Sequence, residues 1–157
     1  MSKLQVIPLY FISKDRALEG AIEPFYIKSK RNPIPVKHIS VAPSIKQAFQ
    51  MSYSMFGTDF EIKDVPAVTA YVYRAVYKPD DILVPPEVLA KERLSRSSHV
   101  TGEHWFMSTT QFVMDCVVSI ANTNDSALVP YNPYSDKRCK LKYLAPEEVN
   151  YRVVQKM

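Results

Sequence analysis

The chain reads as a single α+β domain with a mostly antiparallel sheet, one main helix and a short second helix. Three observations predict that class. Stretches of alternating or continuous β-branched and aromatic residues recur along 157 residues, about the size of one domain. Only one stretch shows a sustained helical period. Twelve prolines punctuate the chain into short elements joined by fixed turns.

Residues 4–13, Leu-Gln-Val-Ile-Pro-Leu-Tyr-Phe-Ile-Ser, form the first expected strand. Pro8 limits it to an edge, or to pairing on one side only there, because proline has no N–H to donate. Residues 14–35 have no clear period and contain Gly20, Pro24, Pro33 and Pro35. They read as a long loop, functional or mobile, with Lys28, Lys30 and Arg31 inside it. Residues 36–42, Val-Lys-His-Ile-Ser-Val-Ala, form a second short strand. A helix is predicted over 43–54, with Pro43 in its first turn and Gly57 near its end. Ile45, Ala48, Phe49 and Ser52 fall on one face of it.

Residues 67–77 are the strongest strand. Alternation places Val68, Ala70, Val72, Arg74 and Val76 on one face, and Thr69, Tyr71, Tyr73, Ala75 and Tyr77 on the other. Arg74 therefore shares a valine face, where it reaches a ligand or pairs with a carboxylate at the sheet's rim. Residues 85–92 give the short second helix. Residues 98–107 and 111–120 form two strands joined by the turn Ser108-Thr109-Thr110, and the latter is apolar enough to be central. Residues 122–140 are polar and turn-rich, and 148–154 read as an edge strand.

Composition excludes several functions. Apolar residues make up 46% and charged residues 23%, which argues against disorder and a coiled coil. No uncharged apolar run approaches the roughly 20 residues of a membrane span. Three glycines, Gly20, Gly57 and Gly102, are too few for a Gly-rich phosphate loop or a dinucleotide fingerprint. A net charge of +4 suits an anionic small molecule better than a long nucleic acid. Cys116 and Cys139 have no metal-ligand spacing, and Cys116 lies among valines as inert core. The N-terminus lacks a signal peptide's apolar segment, so the expected setting is cytoplasmic. No cofactor or metal is implied, and a homo-oligomer is left open.

Three constellations could carry chemistry. His38-Ile39-Ser40 and His99-Val100-Thr101 both read His-apolar-hydroxyl, with His and hydroxyl on one face. Facing each other, they could serve as base and acid on a phosphodiester without a metal. This resembles the two-histidine phosphoesterases, an alternative function in which His38, Ser40, His99 and Thr101 are catalytic. In the second, Glu103 shares a polar face with His99 and Thr101, on which Val100 and Trp105 need not lie; beside an apolar central strand it reads as a cleft wall or as a solvated sheet face. In the third, Ser40 and Ser44 flank the start of the main helix, an anion-friendly position unless Ser44 simply caps it.

Three blocks resemble a family of small uncharacterised proteins from bacteria and their phages: Leu9-Tyr10-Phe11-Ile12-Ser13, Ser40-Val41-Ala42-Pro43-Ser44-Ile45 and Val100-Thr101-Gly102-Glu103-His104-Trp105. The first two are also distantly similar to the ADP-ribosyltransferase fold. That resemblance sets Phe11 where a His is expected, and Ser40 and Glu103 at the walls of a nucleotide cleft. Phe11 cannot hydrogen-bond a ribose, so the resemblance implies binding without turnover. The expected function is binding of a nucleotide-derived small molecule through Tyr10, Ser13, His38, Ser40, Ser44, Arg74, His99, Thr101 and Glu103. In a phage, that implies sequestration of a host immune signal, a cyclic nucleotide or an ADP-ribose derivative. A further alternative is an inhibitor that binds a host protein directly, with Tyr71, Tyr73 and Tyr77 as an exposed anchor face.

Overall fold

The two longest apolar stretches pair with each other in the computed structural model, which describes residues 7–25, 36–52, 65–92, 94, 102–121 and 150–157. In chain order the elements are β1 (Tyr10–Ser13), β2 (Gly20–Ile22), β3 (Ile39–Val41), α1 (Ile45–Met51), β4 (Ala67–Val76), β5 (Leu83–Val84), α2 (Pro86–Lys91), β6 (His104–Phe106), β7 (Thr110–Ala121) and β8 (Tyr151–Lys156). The architecture is α+β, and every strand pair in it is antiparallel. The first sheet runs β1-β4-β7-β2, with β8 also paired to β7, and the second runs β3-β6-β5. The expectations at Lys28, Lys30, Arg31, Gly57, His99, Thr101 and 122–140 lie outside the described residues.

β7 is central, as its apolar content predicts. One edge pairs with β4, while the other is divided between β2 at 110–112 and β8 at 116–120. Asp115 is the extra residue of a bulge opposite Val72 and Tyr73. It reverses the phase of the strand: Phe112 and Met114 face one core before it, whereas Cys116, Val118 and Ile120 face the other after it. Between β2 and β8, the Glu19 carboxylate accepts the Met114 N–H at 3.2 Å, and the Asp115 carbonyl accepts the Met157 N–H at 3.1 Å. Those backbone groups are thus satisfied where the neighbouring strands leave off.

Two cores follow from this arrangement. α1 covers the outer face of the first sheet, where Ala48 and Phe49 pack with Ile12, Ala70, Val72, Cys116 and Val118. The second sheet covers the inner face, where Ile39, Val41 and Phe106 meet Tyr73, Ala75, Phe112 and Met114. β1 is an edge strand, consistent with Pro8. The sheets are joined by Tyr10 and Ala42, whose N–H groups donate to each other's carbonyls at 2.8 and 2.9 Å.

Several boundaries and one topology differ from expectation. The segment 14–35 contains β2 and a bridge at Phe25 rather than loop alone; a three-residue strand is too short to show a period. Ser44 is the helix N-cap and α1 begins at Ile45, so Pro43 precedes the first turn. β6 pairs with β3 and β5 and does not neighbour β7. The Ser108 turn carries the chain from one sheet to the other, so Glu103 precedes a strand that does not lie beside the central one, while His99 and Thr101 lie outside the described residues. The tyrosine face is also corrected. Tyr73 is fully buried and Tyr71 and Tyr77 are half-buried, all against the inner core rather than on an exposed anchor surface.

Tyr73 fastens the segment after β1 to the sheet. Its hydroxyl donates to the Asp15 carbonyl at 2.6 Å and accepts the Leu18 N–H at 3.3 Å. Tyr73→Phe leaves both backbone groups without this partner, so urea unfolding should show a loss of about 1–2 kcal/mol. An unchanged midpoint would mean that the segment is held by other contacts.

Candidate functional site

Strand alternation decides which side chains share a surface. Arg74 lies opposite Tyr10, and Tyr10 lies opposite Ala42, so all three point to the outer side. Ser40 and His38 follow at alternate positions of β3, on that same side. Across the β3–β6 ladder Ser40 faces Trp105. The outer side of β4, β1, β3 and β6 therefore carries Arg74, Tyr10, Ser40, His38 and Trp105, with Ala42 buried beneath α1 between Tyr10 and Ser40.

Glu103 joins this surface. Its carboxylate accepts the Trp105 indole N–H at 2.9 Å, and both residues are buried. Trp105 thus lies on the Glu103 side, which the expected polar face did not require. Positions two apart on an extended chain share a side, and that simple count was the available signal. The His38 ring stacks on the indole with centroids 3.6 Å apart and planes 11° from parallel.

His38 is only 4% exposed. Its Nδ1 sits 2.7 Å from the Val36 carbonyl, which only accepts, so Nδ1 carries the proton and Nε2 presents a lone pair. Burial lowers the imidazole's pKa, while the Val36 bond and the Glu103 charge oppose that shift more weakly. The ring is consequently neutral near pH 7. His104 makes the same Nδ1 contact with the Gly102 carbonyl at 2.7 Å, but it faces Val41 on the inner side.

The hydroxyl of Ser40 is buried and has no hydrogen-bond partner. Buried polar groups in folded proteins are nearly always satisfied, which marks this residue out. Among the described residues the other such atom is the amide nitrogen Nε2 of Gln50, one turn beyond Gln47 on α1.

At the opposite end, Arg74 Nε lies 3.8 Å from the Asp115 carboxylate, with side chains 44% and 30% exposed. Such a half-solvated pair contributes little to stability and leaves the guanidinium accessible. Burial and the Asp115 charge raise the Tyr10 phenol above its ordinary pKa, and Arg74 opposes them.

His99 and Thr101 lie outside the described residues, and Ser13 and Ser44 are elsewhere. Ser13 and Phe11 alternate with Tyr10 and Ile12, so they face the inner side; Phe11 packs on Tyr73 and Phe112. The Ser13 hydroxyl accepts the Asp15 N–H at 3.0 Å, a local turn contact. Ser44 is occupied as a cap: its hydroxyl accepts the Gln47 N–H and donates to Gln47 Oε1. The anion-friendly reading of that position is thereby replaced by capping. Cys116 is buried, and burial pushes its thiol up to about 12, which leaves it unreactive. Among the described residues no group of three or more His, Cys, Asp or Glu could hold a metal, and no helix is long and apolar enough to cross a membrane.

Two measurements follow. As pH falls, the unfolded chain accepts a proton at the ordinary histidine pKa of about 6.5 before folded His38 does. His38 therefore favours folding fully above that pH and progressively less below it. Between pH 7.5 and 5.5, His38→Gln should lose less stability in urea unfolding than the parent; equal losses would assign the acid sensitivity elsewhere. Gly102 has φ +67°, and a Cβ there would lie 2.9 Å from Pro43 Cδ and from Gln47 Nε2. Gly102→Ala should cost roughly 1–3 kcal/mol by the same assay, from a strained backbone and a displaced α1.

Comparison with protein-family models, with curated proteins and with solved structures finds no match to this chain.

Proposed function

We propose that the protein binds a nucleotide-derived small molecule on the outer surface between Arg74 and the His38–Trp105 stack, and holds it without turnover. The observation that carries this reading is the buried, unpartnered hydroxyl of Ser40. It stands on one surface with an accessible guanidinium and with a buried imidazole, indole and carboxylate. A nucleotide has the matching polarity. Its phosphate suits the cationic end, and its heterocycle suits an environment of hydrogen-bonding and aromatic groups. Sequestration of a host immune signal by a phage-encoded protein is the biological role consistent with that chemistry and with the resemblance in the three blocks.

Binding is favoured over hydrolysis by the state of the imidazoles. General acid–base cleavage requires two groups near one phosphorus. His38 supplies one lone pair on the outer surface, and His104 is turned to the inner side. The two-histidine alternative thus depends on His99, which lies outside the described residues.

The test uses cyclic nucleotides and ADP-ribose derivatives in calorimetric titration, followed by heat denaturation and analysis of the released ligand. Intact ligand is expected, whereas new products would favour the phosphodiesterase. Arg74→Ala should weaken binding of a phosphate-bearing ligand about tenfold, through loss of a charged hydrogen bond. Stability should change by only about 0–1 kcal/mol. Unchanged affinity would remove Arg74 from the site.

A further inference from the structure

The backbone of Ser40 carries an inference that deepens the proposed reading and rests on it. On one edge of β3, His38 and Phe25 exchange N–H···O bonds at 3.0 and 3.2 Å, and Ala42 and Tyr10 do so at 2.9 and 2.8 Å. In an antiparallel strand, alternate residues direct their N–H and C=O groups to the same edge. Ser40, midway between His38 and Ala42, therefore points its N–H and C=O to this edge, while Ile39 and Val41 serve the ladder to β6. Among the described residues no backbone group bonds Ser40 there. From Phe25 the chain runs back to β2 in the other sheet, so the pairing stops after one residue.

Ser40 thus presents a backbone donor, a backbone acceptor and a buried hydroxyl, all without a partner among the described residues, between two closed bridges. An extended peptide pairs over several successive residues, and the bridges at Phe25 and Tyr10 leave room for one. A compact planar group with an adjacent donor and acceptor fits these constraints. We propose that Ser40 docks the hydrogen-bonding edge of a nucleobase, which pairs with its N–H and C=O as a neighbouring strand would. The hydroxyl adds a third contact, and the phosphate of the same ligand extends towards Arg74.

The test compares ADP-ribose, 3′,5′-cyclic AMP and 3′,5′-cyclic GMP with ribose 5-phosphate, which has no base, in calorimetric titrations. Ser40→Ala removes only the hydroxyl. Ser40→Pro also removes the N–H, which makes no bond to a backbone group of the described residues, and circular dichroism verifies that it folds. At least one base-bearing ligand should bind the parent about tenfold more tightly than ribose 5-phosphate. Both variants should weaken that ligand about fivefold or more and leave ribose 5-phosphate unchanged. In the ¹⁵N-labelled parent, the Ser40 amide resonance should shift on addition of the same ligand; this readout stands if Ser40→Pro does not fold. Ligand binding with unaltered affinity in Ser40→Ala and an unmoved Ser40 amide overturns base docking alone. Equal binding of ribose 5-phosphate overturns it too. Absence of binding by every base-bearing ligand overturns the nucleotide reading and this inference together.

Discussion

The exchange of two backbone hydrogen bonds between Tyr10 and Ala42 is the joint on which the molecule turns. Without it the two sheets would meet through the side chains of the inner core alone. With it, the outer side of β4 and β1 continues into the outer side of β3 and β6. Every residue of the candidate surface is addressed through this pair, because Arg74 is placed by Tyr10, and Ser40 by its distance along the chain from Ala42. The pair is also where the cores divide: Ala42 packs under α1, while its neighbour Val41 packs between the sheets.

Much of this was legible where a residue's physics is local. The alternation over 67–77 correctly separates Val72 from Tyr73, since a long strand imposes its period whatever surrounds it. Pro8 announces an edge because a missing donor is a chemical fact. Cys116 is core because its neighbours are valines. The course of β2 was hidden for the opposite reason: Gly-Ala-Ile has no pattern of its own and becomes a strand through pairing with β7. Likewise, nothing in Ser108-Thr109 distinguishes a hairpin from a corner between sheets. The polar surface was half legible. His38 and Ser40 were placed together by alternation, but their association with Trp105 needed the ladder between β3 and β6.

The inner and outer surfaces also divide the aromatic residues by task. Phe11, Tyr73, Phe106 and Phe112 interlock as stacked and edge-to-face rings in the inner core, an arrangement that holds two sheets at a fixed spacing. Trp105 is outside this group and is committed to a carboxylate and an imidazole instead. An indole so engaged fixes the orientation of Glu103 and His38, which makes the surface rigid before anything binds to it. Preorganisation of that kind limits the ordering cost of association.

The sheet pairings bear finally on how the chain reaches this form. Tyr10 meets Arg74, Gly20 meets Phe112 and Ile39 meets Phe106; in each case a long intervening segment must be looped out before the contact forms. Chains dominated by such distant partners lose much entropy before any ladder compensates them, and they search on the millisecond-to-second scale rather than in microseconds. The β4–β7 ladder, the longest in the molecule, is the natural template for that search.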